Sequence, residues 1–135
     1  MDETPTEPPR ERGPKVPDDE RLYRAILPAA VPVWLPAGKP SSAIFHHPQF
    51  STDIASKTTP AELTTRWPEG TAFTAFSCGT ARTLGFSAHH EPEHGNDAHA
   101  NVYCDHGTSD RKKKARALAA QCEVVYLTSS SGGGD

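Results

Sequence analysis

The fold is decided by residues 86–104, FSAHHEPEHGNDAHANVYC, which predict two β-strands joined by a loop. The loop is EPEHGND (91–97), because proline, glycine and asparagine favour turns. In the second strand, small and apolar residues alternate with polar ones, so we expect the first set to face a core. The first set is Ala98, Ala100, Val102 and Cys104, and the polar set is His99, Asn101 and Tyr103.

Upstream segments predict one further strand and a long connection. RLYRAIL (21–27) alternates between two partly buried faces and is expected to open the fold as a strand. Prolines recur at positions 28, 32, 36 and 40, a spacing that excludes a helix and indicates an extended connection. Residues 41–55 predict a short strand or turn followed by a loop.

Three segments predict helices. Thr59, Pro60 and Glu62 form a capping-box pattern, which predicts a short helix that ends before Pro68. TAFTAFSCGTARTL (71–84) has phenylalanines on one side and small residues on the other, so it predicts a longer helix. Asp110 is the expected N-cap of a third helix that runs to about Cys122, before a final strand EVVYL (123–127).

Composition and charge indicate one small domain with two unstructured ends. The chain has 135 residues and 35% hydrophobic residues, which is enough for one modest core. Residues 1–20 are acidic and proline-rich and are predicted to be a disordered arm, and residues 128–135 a flexible tail. Residues 21–127 are predicted to form a single α+β domain, with a mixed or antiparallel sheet packed against two or three helices.

Cysteine content and hydropathy predict a soluble cytoplasmic protein. The three cysteines have no paired spacing, the N-terminus is polar throughout, and no apolar run is long enough for a membrane helix. Outside the acidic arm the chain is nearly neutral, so overall charge indicates neither nucleic-acid binding nor membrane association. Frequent alanine, proline, arginine and threonine are typical of a bacterium with a GC-rich genome.

Five of the seven histidines lie within residues 89–106, which suggests a metal site. Residues 90–94, HEPEH, satisfy the H-E-x-x-H pattern of zinc proteases, with His99 as a third ligand. That pattern requires a helix, and Pro92 and Gly95 disfavour one. The match is therefore interpreted as accidental.

A second interpretation of the same stretch is a ββα-metal nuclease of the H-N-H type. His90 would act as the general base, Asn101 would assist catalysis, and His99 and His106 would bind a divalent metal such as zinc or magnesium. The order of hairpin and helix fits this class of phosphodiester hydrolase, but the spacing from Asn101 to His106 is compressed. Exposed histidines with no metal role are the competing interpretation.

The start of the last predicted helix indicates an anion-binding site. Free backbone amides and the helix dipole favour anions there, and basic residues follow directly. A phosphate group or RNA would bind such a site, whereas a solvated basic face is the alternative. The candidate residues are Ser109, Arg111, Lys112 and Lys113.

Short motifs along the chain resemble a family of short bacterial proteins of uncharacterised function. They are Leu22-Tyr23-Arg24, Ser41-Ser42-Ala43-Ile44-Phe45, Ser51-Thr52-Asp53, Ala81-Arg82-Thr83-Leu84-Gly85 and Ala98-His99-Ala100-Asn101-Val102. The resemblance covers about residues 21–127. It implies a compact α+β domain in which polar positions of residues 41–45 and 98–102 are shared site or folding elements. Of the candidate metal ligands, only His99 lies in a shared motif.

Together these observations favour a non-catalytic interaction or accessory protein without a cofactor. We expect a protein partner, with nucleic acid as the alternative, and no membrane association. The competing functions are the metal-dependent hydrolase and phosphate or RNA binding at residues 110–122. The sequence does not determine the substrate, the partner or the oligomeric state.

Overall fold

The computed structural model describes residues 12–125, which form a six-stranded antiparallel sheet and four helices. The predicted α+β class is therefore confirmed, with four helices in this part of the chain instead of two or three. The strand order is β4-β5-β2-β1-β3-β6. No helix within these residues is long and apolar enough to span a membrane.

Short 3-10 turns join several of the strands and helices. The strands are β1 Arg21–Ile26, β2 Gln49–Ile54, β3 Ala72–Ser77, β4 Phe86–His90, β5 His99–Cys104 and β6 Glu123–Val125. The helices are α1 Val31–Trp34, α2 Pro60–Arg66, α3 Cys78–Thr83 and α4 Thr108–Gln121. The 3-10 turns are Pro28–Ala30, Pro36–Gly38, Ser42–Ile44 and Ala55–Lys57.

Most buried apolar side chains of the sheet lie on one of its faces, which we call the core face. Strand residues of this face pack with α3, α4 and the segment that precedes β2, and they form one continuous hydrophobic cluster. Phe45 lies at its centre, completely buried, with its ring 5.5 Å from the rings of both Phe50 and Phe76. Edge-to-face contacts between such rings stabilise the core beyond their buried area.

The predicted hairpin and capping box are both confirmed. β4 and β5 pair antiparallel, from Phe86 opposite Cys104 to His90 opposite Ala100. The Thr59 hydroxyl accepts from the Glu62 amide, and the Glu62 carboxylate accepts from the Thr59 amide, at 3.1 Å each. These elements depend on local spacing and turn chemistry, which the sequence contains in full.

The helix predicted over residues 71–84 is wrong in its first half. Residues 72–77 form β3, which lies between β1 and β6, and only Cys78–Thr83 are helical. The Ser77 side chain accepts from the Thr80 amide and caps the helix. Five consecutive residues of β3 are buried because both faces of this strand are covered, so the strand lacks the alternation that identifies a half-buried one.

Two further expectations upstream of α2 are wrong. The proline-rich connection contains the short helix α1, because Pro32 occupies one of its first two positions, where its missing N–H is no loss. Residues 49–54 form the interior strand β2, which pairs with β5 and β1, where a loop was expected. Its register is set by partners that are distant in sequence.

Arg24 fills a gap in the middle of the sheet. β1 and β2 pair only at Leu22–Ile54 and Tyr23–Asp53. The Arg24 guanidinium donates to the carbonyl oxygens of Ile44 at 3.2 Å and Ser51 at 3.5 Å, and it lies against the Phe50 ring. Burial lowers the pKa of Arg24 to about 10. Three of the short motifs quoted above, at residues 22–24, 41–45 and 51–53, thus meet at one side chain.

The predicted disordered arm is wrong for its last part, and residues 1–11 lie outside the described residues. Residues 14–16 pair with the free edge of β4, since the Val16 amide donates to the Ala88 carbonyl at 3.0 Å. The amide of His90 donates to the Pro14 carbonyl at 2.8 Å, and the Val16 side chain joins the core with 5% exposure. We call residues 12–16 the N-terminal strap. The strap covers an edge that would otherwise expose unpaired backbone groups.

The first prediction concerns the aromatic core. Phe45→Ala removes a fully buried ring and should lower the free energy of unfolding by about 3–5 kcal/mol. Val33→Ala, at a side chain that is 67% exposed, should change it by less than about 0.5 kcal/mol. Urea unfolding of both variants checks this, and equal losses would contradict the core described here.

The second prediction concerns the strap. A Cβ atom at Gly13 would lie 2.1 Å from the His90 carbonyl oxygen, so Gly13→Ala should detach the strap from β4. Trypsin cleavage after Lys15 should then accelerate about tenfold for each 1.4 kcal/mol of local stability lost. Gly107→Ala is the control, because no atom lies within 4 Å of an added Cβ there. Mass spectrometry of the digests should show no faster cleavage after Lys15 in the control than in the wild type. If Gly13→Ala is also cleaved at the wild-type rate, the strap does not depend on its contact with β4, which would contradict this prediction.

Candidate functional site

The second face of the sheet carries a row of polar side chains on its three adjacent strands β2, β5 and β4. We call it the polar face. Its residues alternate with core residues along each strand, and Asp53, His89, His99 and Asn101 are all at least nine-tenths buried. Buried polar groups require hydrogen-bond partners, so the elements above this face decide what it can do. The polar face consists of Ser51, Asp53, Ser87, His89, His99, Asn101 and Tyr103.

Asp53 is the centre of a polar cluster at one end of this face. Its carboxylate is 2% exposed and accepts from Asn96 Nδ2 at 2.7 Å and from Trp67 Nε1 at 3.4 Å. The Arg66 guanidinium lies 3.7 Å away, close enough for charge pairing but too far for a hydrogen bond. Arg66 Nη1 is buried and has no hydrogen-bond partner within the described residues.

Glu91 organises the middle of the polar face. Its carboxylate accepts from the Gly13 amide at 2.7 Å, from Asn101 Nδ2 at 2.7 Å and from the Tyr103 hydroxyl at 2.6 Å. Partial burial acts to raise the pKa of Glu91, but these three donors and nearby His89 outweigh it and lower that pKa to about 2. Glu91 is therefore ionised at neutral pH and joins the strap to β5.

The polar-face histidines are held by backbone carbonyls. His89 Nδ1 donates to the Gly13 carbonyl at 2.7 Å, and its Nε2 lies 3.1 Å from Ser87 Oγ. His99 Nδ1 donates to the Glu91 carbonyl at 2.8 Å, and its buried Nε2 lies 3.6 Å from Glu93 Oε2. Both rings are therefore fixed in orientation by the strap and by the 91–98 loop.

The structure does not bring the three candidate histidines of the hydrolase hypothesis together. His90 and His99 are near each other on paired strands but face opposite sides of the sheet, because neighbouring residues in a strand alternate. His106 follows the other end of β5 from His99. The strand between His99 and Cys104 is by itself about 17 Å long. Asn101 is bound to Glu91, and His90 Nε2 donates to the Asp97 carbonyl at 2.7 Å.

The H-E-x-x-H match also lacks its required helix. His90 ends β4, and residues 91–98 form turns in which Glu93 and Asn96 exchange two backbone hydrogen bonds. Gly95 has a φ of +78°, a backbone conformation that favours glycine. Within residues 12–125, no group of three or more histidine, cysteine or acidic side chains is arranged to hold a metal ion.

A groove runs between α2 and the 91–98 loop, beside the Asp53 cluster. It consists of two cavities, of about 280 and about 400 Å³, which share Glu62, Arg66 and Gly95. We call it the α2 groove. The smaller cavity is also lined by Lys57 and residues 96–98, and the larger one by Ala61 and Thr65. The groove adjoins the Asp53 cluster through Arg66 and Asn96, which line its smaller cavity.

The predicted anion site at α4 is only partly assembled. Gly107 is the N-cap, so the expected cap Asp110 is wrong, and Asp110 lies instead in the first turn. Ser109, Lys112 and Lys113 are exposed. Arg111 folds back on the helix start, where it donates to the His106 carbonyl at 3.2 Å.

The three cysteines are free thiols. Cys78 and Cys104 are buried, and Cys122 is partly buried. Burial raises the pKa of both Cys78 and Cys122 to about 11, so these two are protonated at neutral pH. The Cys78 thiol donates to the Val16 carbonyl at 3.3 Å and so contacts the strap.

Sequence reasoning found His99 and Asn101 on the polar side of β5 but missed their partners. Asp53 could have been flagged, because aspartate is rare inside strands and Ser51-Thr52-Asp53 is flanked by apolar residues. Arg66 and Asn96 carry no such signal. Of the motif residues 41–45, Ser41 is a folding element, since its hydroxyl accepts from the Ala43 amide.

No family model, curated protein or solved structure matches this chain. The resemblance to short bacterial proteins therefore stays a prediction. Any function must be argued from the geometry described above.

The third prediction concerns the pH dependence of stability. The pKa of Glu91 is about 2 in the folded protein against an ordinary value of 4.5, so its contribution to stability is complete above pH 4.5. The contribution is lost as pH falls from 4.5 towards 2. At neutral pH the free energy of unfolding of Glu91→Gln should be lower than that of the wild type. Between pH 4.5 and pH 2 it should fall less steeply than that of the wild type.

Urea unfolding between pH 7 and pH 2 measures both slopes. Tyr103→Phe removes one of the three donors to Glu91 and should produce part of the same change. Parallel pH curves for wild type and Glu91→Gln would show that the Glu91 contacts do not contribute.

Proposed function

We propose that this protein is a non-catalytic interaction protein that binds an acidic segment of a partner protein on the basic face of α4. The basic face consists of Lys112, Lys113 and Arg116, which are exposed. The observation that carries the proposal is that none of these cations forms an ion pair within residues 12–125. Three unneutralised positive charges on adjacent turns attract an anionic partner.

The cations of the basic face lie close together on α4. Lys112 and Arg116 are one turn apart, about 6 Å along the axis, and Lys113 lies beside them. Alternate side chains of an extended peptide are about 6.6 Å apart on one face. An extended partner segment with alternating carboxylates would therefore place one carboxylate opposite each turn of α4.

A protein partner is favoured over nucleic acid by two features. Proteins that bind single-stranded nucleic acid stack bases on exposed aromatic rings, and within the described residues no aromatic side chain is exposed. Lysine also predominates on the basic face, and it acts as a point charge without the bidentate geometry by which arginine recognises phosphate.

The bonding on the polar face supports a non-catalytic role. The carboxylate of Glu91 is occupied by three donors, and both nitrogens of His89 have partners. A general base needs a free lone pair directed at its substrate, and these groups are directed at each other and at the strap. The free thiols favour a reducing compartment, so we place the protein in the cytoplasm.

The fourth prediction tests the basic face. Lys112→Glu/Lys113→Glu should weaken binding of a labelled peptide of alternating glutamate and serine by at least about tenfold at low salt. Fluorescence polarisation measures the affinity, which for the wild type should fall as salt is added. The charge-matched control is Lys15→Glu/Lys39→Glu, at two exposed lysines outside α4.

Three outcomes would count against the proposal. Equal weakening in the control variant would mean that net charge, and not the face of α4, attracts the peptide. Failure of the wild type to bind the peptide would remove the proposed partner class. Binding of a duplex oligonucleotide in preference to the peptide would assign α4 to nucleic acid instead.

A further inference from the structure

We infer that the α2 groove binds a free α-amino acid with an apolar side chain. This inference goes beyond the function proposed for α4, because the groove lies beside the polar face, whereas α4 packs on the core face. It rests on an arginine with unused donors, on two acidic residues that line the same cavity and on a less polar second cavity.

Arg66 is the group that would bind the carboxylate of the amino acid. Asp53 lies 3.7 Å away and attracts the guanidinium, but both oxygens of Asp53 already accept from other donors, Asn96 and Trp67. Arg66 makes no hydrogen bond within the described residues, and its Nη1 is buried without a partner. Nε and Nη2 of Arg66 also have no partner in this part of the chain and, unlike Nη1, are not enclosed, so a ligand carboxylate would bind these two donors as a bidentate pair, the geometry that guanidinium favours. Asp53 is then a positioning residue for Arg66.

Lys57 adds a second positive charge to the same cavity. It ends the 3-10 turn before α2, is exposed, and forms no ion pair among residues 12–125. Two cations at one cavity favour a carboxylate over a neutral amide, since only the carboxylate carries a charge. This distinguishes a free amino acid from an amidated one.

Two carboxylates in the smaller cavity would bind the ammonium group. Glu62 uses Oε1 in the capping box, and its Oε2 has no described partner. Asp97 lines the same cavity, and its carboxylate has no hydrogen bond within the described residues. With cations and carboxylates lining one cavity, a zwitterion is better matched than an anion or a cation alone.

The larger cavity would take the side chain of the amino acid. Its lining adds Ala61 and Thr65, and no atom lies within 4 Å of an added Cβ at Gly95, so that wall is open. The smaller cavity of about 280 Å³ has room for the ammonium and carboxylate groups, and the larger one of about 400 Å³ for the side chain of an amino acid such as leucine.

The fifth prediction is tested by titrating the full chain with L-leucine and following backbone amides by NMR. Shifts should be confined to residues near 57, 61–66 and 95–98. Arg66→Gln should weaken leucine binding at least about tenfold, and Arg66→Lys, which keeps the charge without the fork, should weaken it less. Lys39→Gln removes an exposed positive charge outside both proposed sites and should leave leucine binding unchanged.

Two leucine analogues separate the parts of the inference. Leucinamide, which lacks the carboxylate, and 4-methylpentanoate, which lacks the ammonium group, should each bind at least about tenfold more weakly than leucine. Equal binding of either analogue would overturn amino-acid recognition, as would the absence of shifts at about 20 mM leucine. Arg66→Lys keeps the test valid if Arg66→Gln fails to fold. Acidic-peptide binding at α4 is measured separately, so either proposal can fail alone.

Discussion

The structure depends on the period-two alternation along β5. Ala100, Val102 and Cys104 point into the core, while the residues between them form the polar face. A shift of one residue in its pairing with β2 would place His99 and Asn101 in an apolar core, where polar groups lack partners. The apolar and polar residues of β5 thus specify the same register. The strands that pair with β5, which are β2 and β4, are aligned by that register. This is why a chain with a modest hydrophobic content forms a defined sheet.

The same alternation buries polar side chains on the second face, and these side chains require hydrogen-bond partners. Two irregular segments supply such partners. The 91–98 loop supplies Glu91 and Asn96, and the strap supplies the backbone of Gly13. The hydrogen bonds that hold these segments occupy groups that catalysis would otherwise need. Within this network His99 Nε2 has no hydrogen-bond partner but is enclosed, whereas charged groups without partners that reach solvent include Arg66 in the α2 groove and the exposed cations of α4. The two proposals therefore place binding at Arg66 and on α4.

The candidate site was predictable from the sequence only in part. The position of His99 and Asn101 on the polar side of β5 follows from alternation, which the sequence shows directly. Convergence of Asp53, Arg66 and Asn96 does not follow, because these residues come from three segments brought together by the β2–β5 pairing and the packing of α2. The dense run of histidines wrongly suggested one site. Neighbouring residues of a strand point to opposite faces of the sheet, so histidines that are close in sequence are separated in the structure.

The sequence by itself determined the β4–β5 hairpin, the capped helix α2 and the basic surface of α4, since each follows from spacing and capping within a few residues. Tertiary structure alone decided that residues 72–77 are a strand, that β2 is an interior strand and that the strap is ordered. In these segments the decisive free energy comes from burial against distant parts of the chain. β3 is covered on both faces and so loses any periodic signal, and the strap contributes one buried side chain, Val16, among polar neighbours.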